Sequence, residues 1–396
     1  GMVLQMSGDA APSGRHLASA IFGRSSTQGV RHLHHTGALG CMRVPRTALS
    51  RVTLIMSAAA STKKETPFGS WPSPITAKFI TSTGVRLGAL SVDDSSTLHW
   101  LEGRPQEGGR QAVVKYSPGS DGASERGGLD GTPKETNVRT RVHEYGGGAY
   151  ILSPGGGIIY SDFKTQRLFW SKPGTDEPMA LTPDSDAFPD GRYRFADGCL
   201  HPSGDSIVLV REDHGPKGDA NPKDVVNEVI TLKLDGSGEM TVLATGRDFY
   251  AHPRLNAAGN MLAYVCWDHP SMPWDATELR VTSVDAAIAS PSSGTGTSGG
   301  GHRLAAGDTT PLSADGDTSV LQPAWHPTSG ALYFISDTSG YWNLMRMEQP
   351  DPSADTPLPI AEARTNDLVD HGGSSPGWSF GQQGYTFLPD GRLAAA

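Results

Sequence analysis

The sequence predicts an all-β fold, and three of its features carry this prediction. Glycine and proline are abundant, with 49 and 29 residues among 396, which favours many short strands joined by turns over long helices. A turn rich in Pro, Gly, Asp or Asn recurs along the chain, and each copy leads into a β-branched or aromatic strand. Convincing amphipathic helices of three turns are lacking.

The turn-and-strand unit repeats at a spacing that indicates the architecture. Clear copies occupy 201–210, 255–265, 326–336 and 388–396, and less regular ones occupy 90–102 and 152–162. Their strands begin at Leu98, Ile158, Ile207, Leu262, Leu332 and Leu393, about 50 to about 70 residues apart. Second, alternating strands follow at 112–116, 167–170, 229–234, 278–284 and 343–348. We therefore predict an incomplete β-propeller of about five to six blades over residues 66–396.

Three segments depart from the repeat. Residues 1–60 contain six arginines, no lysine and one acid, Asp9, a composition typical of organelle transit peptides. We predict a disordered leader and a chloroplast location, with a mitochondrial or cytoplasmic location and a tail without a targeting role as the alternatives. Residues 117–135 and 286–304 are rich in Gly and Ser and predict mobile surface insertions.

Charge, hydropathy and cysteine usage narrow the class of protein. The net charge of −9 argues against nucleic-acid binding as the main task. Apolar runs long enough for a transmembrane helix are missing, so we expect no membrane partner. Cys41, Cys199 and Cys266 are far apart and odd in number, which supports neither a zinc site nor a disulfide framework and favours reduced thiols.

Seven segments in this order carry a resemblance. They are TPFGSWPSPITA (66–77), LHWLEGRPQEGGR (98–110), NVRTRVHEYGGGAY (137–150), YRFADG (193–198), VREDH (210–214), PWDATEL (273–279) and ISDTSGYWNL (335–344). Together they resemble the propeller of dipeptidyl-peptidase and acylaminoacyl-peptidase-like members of the prolyl oligopeptidase family. The segment 137–150 is much more specific than a short pattern.

The resemblance implies a serine peptidase of two domains that cleaves short peptides. In that family a propeller of about seven or eight blades caps a C-terminal α/β-hydrolase domain with a Ser–Asp–His triad, and its channel restricts access to small peptides. The repeat still runs at Ala396, so we expect the hydrolase domain to be absent from this sequence. The resemblance implies no cofactor and leaves a homo-oligomer open.

Two places match the Gly-x-Ser-x-Gly pattern of a hydrolase nucleophile. Ser298 lies in the Gly/Ser-rich insertion, where no strand or helix would hold the serine in a strained turn. Ser375 is followed by Pro376, which lacks the N–H that must bind the oxyanion. We therefore predict no catalytic residue in this chain and no hydrolysis by it alone.

Four charged residues are candidates for substrate binding. Arg141 and Glu144 precede the three glycines of segment 137–150, and Glu144 could bind the α-amino group of a peptide. Alternatively, the two pair with each other or form a turn. Arg211 and Glu212 end an apolar strand and predict a blade edge facing the channel or an interface, with solvated charge as the alternative.

The sequence supports metal sites and other functions less well than it supports the propeller of a peptidase. His32, His34 and His35 have no nearby Cys or acid, and Asp268, His269 and Asp275 lie among prolines and tryptophans that favour a packed loop, so we predict no metal. A propeller serving as a protein-interaction scaffold remains the alternative function, although the WD-repeat signature is missing. A metal-dependent propeller hydrolase would need converging Glu, Asn and Asp ligands, which the sequence does not identify.

Overall fold

The computed structural model describes residues 65–395 except 71, 83, 118–127, 183, 185–188, 219, 286–315, 349–361, 366–367 and 372–376. The predicted leader, the insertion 286–304, Ser298 and Ser375 lie outside the described residues. The described residues divide into two units, one within residues 65–76 and one within residues 77–395. In the smaller unit, residues 68–69 form a turn, and Ser70 Oγ donates to the carbonyl of Pro67 at 2.6 Å.

The larger unit is built from antiparallel sheets. Its described part contains one α-helix, α1 (Ala77–Ser82), and 21 strands in six sheets. The first sheet consists of β1 (Arg86–Val92), β2 (Leu98–Arg104), β3 (Arg110–Tyr116) and β4 (Leu129–Asp130), and the second of β5 (Tyr150–Ser153), β6 (Gly157–Ser161), β7 (Leu168–Ser171) and β8 (Met179–Ala180). The third consists of β9 (Tyr193–Leu200), β10 (Ser206–Asp213), β11 (Val226–Lys233) and β12 (Met240–Thr245).

The remaining sheets continue the series. The fourth consists of β13 (Phe249–Leu255), β14 (Met261–Trp267) and β15 (Glu278–Ser283). The fifth consists of β16 (Val320–Trp325), β17 (Leu332–Ser336), β18 (Asn343–Met347) and β19 (Glu362–Ala363), and the sixth of β20 (Tyr385–Phe387) and β21 (Leu393–Ala395). Strands pair in chain order within every sheet. The first strands β5, β9, β13 and β16 contact one another in series, which is the arrangement of propeller blades around a channel.

The predicted all-β propeller is confirmed. Each of the six strands predicted to follow a turn lies in a different sheet, from β2 in the first to β21 in the sixth. One boundary was wrong: Leu129 pairs with Lys115, and the N–H of Gly131 donates to the carbonyl of Val113 at 2.7 Å. The predicted insertion over 117–135 is therefore shorter at its C-terminal end, because β4 completes the first sheet. Its residues 118–127 lie outside the described part.

The core lies between neighbouring sheets. Ile207 and Leu209 of β10 pack in one apolar cluster, whereas Val208 and Val210 of the same strand pack in another. β14 is buried on both faces along its whole length, which explains its uninterrupted apolar sequence. No helix among the described residues is long and apolar enough to cross a membrane.

Four first strands contain a bulge at a residue with positive φ. These residues are Ala89, Asp197, His252 and Gln322, with φ between 50° and 54°, and each coincides with a register shift in its sheet. Bulges redirect side chains, and here they link neighbouring blades. Asp197 Oδ2 accepts from the N–H of His252 at 2.8 Å, and Gln322 Oε1 accepts from the N–H of Gly384 at 2.6 Å.

Candidate functional site

Residues 137–149 run between the first two sheets and make backbone contacts with three sheets and with the segment that precedes the sixth. The N–H of Val138 donates to Gln111 of β3 at 2.8 Å, and that of Arg139 donates to Ser161 of β6 at 3.1 Å. Further along, Gly147 pairs in parallel with Phe380, just before the sixth sheet. The carbonyl of Gly148 accepts from Asp197 of β9 at 2.9 Å. The segment that resembles the peptidases therefore connects several sheets of the propeller through its backbone.

A tight turn in this segment presents Glu144. The N–H of Glu144 donates to the carbonyl of Arg141 at 2.8 Å, and that of Gly146 donates to Val142 at 2.9 Å. His143 and Glu144 have φ of 54° and 63°, a region that non-glycine residues enter only when their surroundings hold them there. Glu144 and the next residue, Tyr145, are exposed as a result.

The side chain of His143 packs under the turn against three aromatic rings. Its ring lies 5.2 Å from that of Phe249, 5.6 Å from that of Trp267 and 4.7 Å from that of Phe380. Its peptide N–H donates to Glu212 Oε1 at 2.7 Å. Burial among these rings lowers the pKa of His143, because the cation would lose its hydration. The imidazole is thus a neutral packing group.

Glu144 is paired with a residue that the sequence did not indicate. Arg194 of β9 donates from Nη1 to Glu144 Oε1 at 2.6 Å and to the carbonyl of Arg141 at 3.1 Å. Arg141 and Glu144 therefore form a backbone turn and not an ion pair. The Arg194 side chain is 11% exposed and that of Glu144 is 72% exposed. The Glu144 carboxylate is therefore bound by Arg194 through Oε1, and the rest of the side chain is accessible to solvent.

Arg211 and Glu212 lie on opposite faces of β10. Glu212 is 4% exposed, accepts from the N–H of His143 and lies 2.9 Å from His214 Nε2. Arg211 pairs with Glu228 of β11, with Nε 3.0 Å from Oε2, and its guanidinium lies 4.8 Å from the ring centre of Tyr193. The structure thus brings Arg141, Glu144 and Glu212 together around Arg194. Arg211 faces away from them.

An aromatic stack stands beside Glu144. The ring of Tyr145 is stacked on that of Trp378 at 5.0 Å, and Trp378 meets Trp274 edge-on at 4.5 Å. Tyr145 is 63% exposed and Trp274 is 40% exposed. Sequence reasoning missed this cluster, since its three members come from separate parts of the chain. We refer to Tyr145, Trp378 and Trp274 as the aromatic stack.

A cavity of about 860 Å³ opens on the other side of Tyr145. It is bounded by β1, β2, the segment 139–149 and residues 379–382. Among its lining residues are Arg86, Arg104, Arg139 and Tyr145. The described residues that line it include no aspartate or glutamate.

The two aspartates of the loop after β14 are engaged by other groups of the protein. Asp268 pairs with Arg247 at 2.9 Å, and Asp275 Oδ2 accepts from the N–H of Met272 at 3.0 Å. Within the described residues, no group of three or more His, Cys, Asp and Glu side chains could hold a metal ion. Asp268 therefore ties the loop to the start of β13, and Asp275 stabilises the loop itself.

Two solved peptidase structures are similar to this propeller. No family model matches the sequence, and no curated protein matches it. A puromycin-hydrolyzing peptidase of Mycobacterium tuberculosis is 30% identical, with a TM-score of 0.64, over 83% of this chain and 46% of that one. A puromycin hydrolase is 26% identical, with a TM-score of 0.65 and the same coverage. The propeller is that of the prolyl oligopeptidase family. The chain spans about half the length of these peptidases.

One group in this prolyl oligopeptidase propeller has the composition of a catalytic triad but not its geometry. His201, Ser203 and Asp205 meet in the turn between β9 and β10. Ser203 Oγ lies 2.6 Å from His201 Nδ1 and donates to Asp205 at 2.5 Å. A triad needs the carboxylate on the histidine, and the serine proton directed to that histidine. Here the carboxylate accepts the serine proton, so the group stabilises a turn.

Proposed function

We propose that this chain is the substrate-gating propeller of a serine peptidase that cleaves short peptides, and that Glu144 binds the free amino terminus of the peptide. The exposed carboxylate of Glu144, fixed by Arg194, is the observation that carries the proposal. An α-amino group has a pKa of about 7.7–8.0 and is mostly protonated at pH 7. A charge-assisted hydrogen bond to a fixed carboxylate recognises such an ammonium group.

The similar peptidases support an aminoacyl ligand. Their names describe hydrolysis of puromycin, which carries an aminoacyl group with a free α-amino group and an aromatic side chain. Tyr145 follows Glu144 directly and is the exposed end of the aromatic stack. A ligand whose ammonium group meets Glu144 can therefore rest its first side chain on the ring of Tyr145.

The size of the cavity supports the gating role. Pockets for small ligands measure about 300–1,000 Å³, and the cavity beside Tyr145 has a volume of about 860 Å³. A peptide of a few residues fits such a space, whereas a folded protein does not. The proposal assigns recognition and size selection to these residues, and bond cleavage to the hydrolase domain that the family resemblance implies.

Isothermal titration with trialanine and N-acetyl-trialanine tests the proposal. Acetylation should weaken binding to the wild-type chain by at least about tenfold, because a charge-assisted hydrogen bond contributes about 1.5–3 kcal/mol. In Glu144→Gln the two peptides should bind alike. Glu239→Gln is the matched control, since Glu239 forms an exposed pair with Lys233 in the β11–β12 turn. Equal affinity of the wild type for both peptides would refute the role of Glu144.

A further inference from the structure

Glu144 belongs to a row of polar side chains that leads into the third sheet. Glu212 of β10 lies directly opposite Arg194 of β9 on one side and Asn227 of β11 on the other. Residues that oppose each other in an antiparallel sheet project from the same face. The row therefore starts at the exposed carboxylate of Glu144 and continues through three buried side chains.

Two carboxylates of this row share one guanidinium. Arg194 Nη1 lies 2.6 Å from Glu144 Oε1 and 3.9 Å from Glu212 Oε2. Among the described residues, no other arginine and no lysine lies within ion-pair distance of either carboxylate. His214 Nε2, 2.9 Å from Glu212 Oε2, can supply a hydrogen bond without a charge. The row therefore contains one more carboxylate than guanidinium.

The second carboxylate determines how strongly Glu144 attracts a cation. A pair made of Glu144 and Arg194 alone would be neutral and would act on an ammonium group only as a dipole. With Glu212 beside the same guanidinium, the group keeps a net negative charge. Charges interact more strongly where burial lowers the effective dielectric constant, and Glu212 is 4% exposed. The charge of Glu212 therefore still acts on a ligand that Glu144 binds.

Glu212 also holds the backbone of the turn. Its Oε1 accepts from the peptide N–H of His143 at 2.7 Å, and His143 directly precedes Glu144. Both residues of the turn have positive φ, so this bond fixes a backbone that non-glycine residues do not favour by themselves. One side chain thus supports the turn through Oε1 and faces the guanidinium of Arg194 through Oε2.

We propose that Glu212 is a positioning residue for the amino terminus of the bound peptide. It holds the turn that presents Glu144, and it supplies the negative charge that Arg194 would otherwise cancel. This inference rests on the proposed function of Glu144. The row has one negative charge to compensate, so the ligand that fits it carries one positive charge at this end, as a protonated α-amino group does.

Isothermal titration at pH 7 with trialanine and N-acetyl-trialanine tests the role of Glu212. Glu212→Gln keeps the size of the side chain and an oxygen that can accept from the N–H of His143, but it removes the charge. The preference for the free amine should fall from at least about tenfold in the wild type to about threefold or less in the variant. A preference that stays at the wild-type value would overturn the proposal.

Glu228→Gln is the matched control. Glu228 follows Asn227 in β11, is 8% exposed and pairs with Arg211, with Nε 3.0 Å from Oε2. Successive residues of a strand point to opposite faces, so this charge lies on the other face of the same sheet. The substitution removes a buried carboxylate as Glu212→Gln does, but the preference for the free amine should remain at least about tenfold. An equal loss of preference in both variants would reveal a general structural effect and refute the positioning role.

A double variant separates the charge of Glu212 from its shape. Asn227 opposes Glu212 in register, so Asn227→Asp combined with Glu212→Gln exchanges the carboxylate and the amide within the row. The preference for the free amine should then rise again, to more than about fivefold. A double variant that is folded by circular dichroism and keeps the lowered preference would contradict the role of the charge.

These outcomes differ from those that would remove the proposed function itself. Equal affinity of the wild type for both peptides refutes the role of Glu144, and the inference about Glu212 fails with it. A wild-type preference that disappears in Glu144→Gln but persists in Glu212→Gln keeps the role of Glu144 and refutes that of Glu212 alone.

Discussion

Gly147 and Phe380 pair in parallel, so the segment before the second sheet lies directly against the segment before the sixth. The N–H of Phe380 donates to the carbonyl of Gly146 at 2.9 Å. The ring of Phe380 lies 4.7 Å from that of His143. Phe380 therefore supports the turn that presents Glu144 from two directions. The candidate site therefore depends on a contact between two segments that are far apart in the sequence.

Gly147→Ala should destabilise the protein severely. The residue has a φ of 92°, and an added Cβ would run into the backbone carbonyl of Phe380. Because a backbone atom cannot move aside as a flexible side chain does, the pairing must break. We expect a loss on the order of 3 kcal/mol in the free energy of unfolding, measured by urea denaturation.

Gly174→Ala supplies the matched control for this substitution. Gly174 has a φ of 74°, and nothing lies within 4 Å of an added Cβ. It should lose only about 1–2 kcal/mol, the cost of the left-handed backbone itself. Equal losses in the two variants would show that Phe380 does not confine Gly147.

The strands could be predicted from the sequence because their signals are local. The turn before Ile207 and the alternation within β10 are both visible in ten consecutive residues. The end of the first insertion was not visible. Leu129 and Asp130 become a strand only by pairing with β3, a contact that local composition does not encode.

The site was predictable only in part. The motif supplied Arg141 and Glu144, and the period of two in β10 already implies that Arg211 and Glu212 point to opposite faces. Arg194 is part of the quoted segment 193–198, but nothing local shows that it reaches Glu144 across the turn. Trp378 joins the site through the fold alone. Long-range pairing decides these neighbours, so residue type and spacing cannot identify them.

The same substitution should cost much more stability at Glu212 than at Glu144. Glu212 is buried and accepts hydrogen bonds from the N–H of His143 and the ring of His214. Glu212→Gln places an amide donor in this acceptor site and should cost about 1–3 kcal/mol of stability. Glu144→Gln changes a side chain that is 72% exposed, although its partner Arg194 is largely buried, and should change stability by less than about 1 kcal/mol. Thermal melts of both variants make the comparison, and a larger loss in Glu144→Gln would contradict the burial of Glu212.

The aromatic stack should set the preference for the first residue of a peptide. If the first side chain rests on the ring of Tyr145, then Phe-Ala-Ala should bind more tightly than trialanine, by about threefold to tenfold for an aromatic pair worth about 0.5–1.5 kcal/mol. Tyr145→Ala should remove this preference and leave trialanine binding nearly unchanged. Tyr341→Ala is the control, since Tyr341 is 38% exposed and belongs to the fifth sheet's β17–β18 turn. A preference that persists in Tyr145→Ala would place the first side chain elsewhere.

His252 should make the propeller less stable in mild acid. Burial lowers the pKa of His252 to about 4, against an ordinary value of about 6.5 in the unfolded chain, although Asp197 Oδ2 lies 3.3 Å away and opposes the shift. Between these two values the unfolded chain binds a proton that the folded chain refuses, so stability falls as the pH is lowered from about 6.5 to about 4. The slope from this one group is at most about 1.4 kcal/mol per pH unit. His252→Asn keeps a residue that tolerates the positive φ of 54° and cannot titrate. Urea melts from pH 7 to pH 4.5 should therefore show a shallower pH dependence in the variant, and an unchanged slope would mean that His252 is protonated in the folded protein.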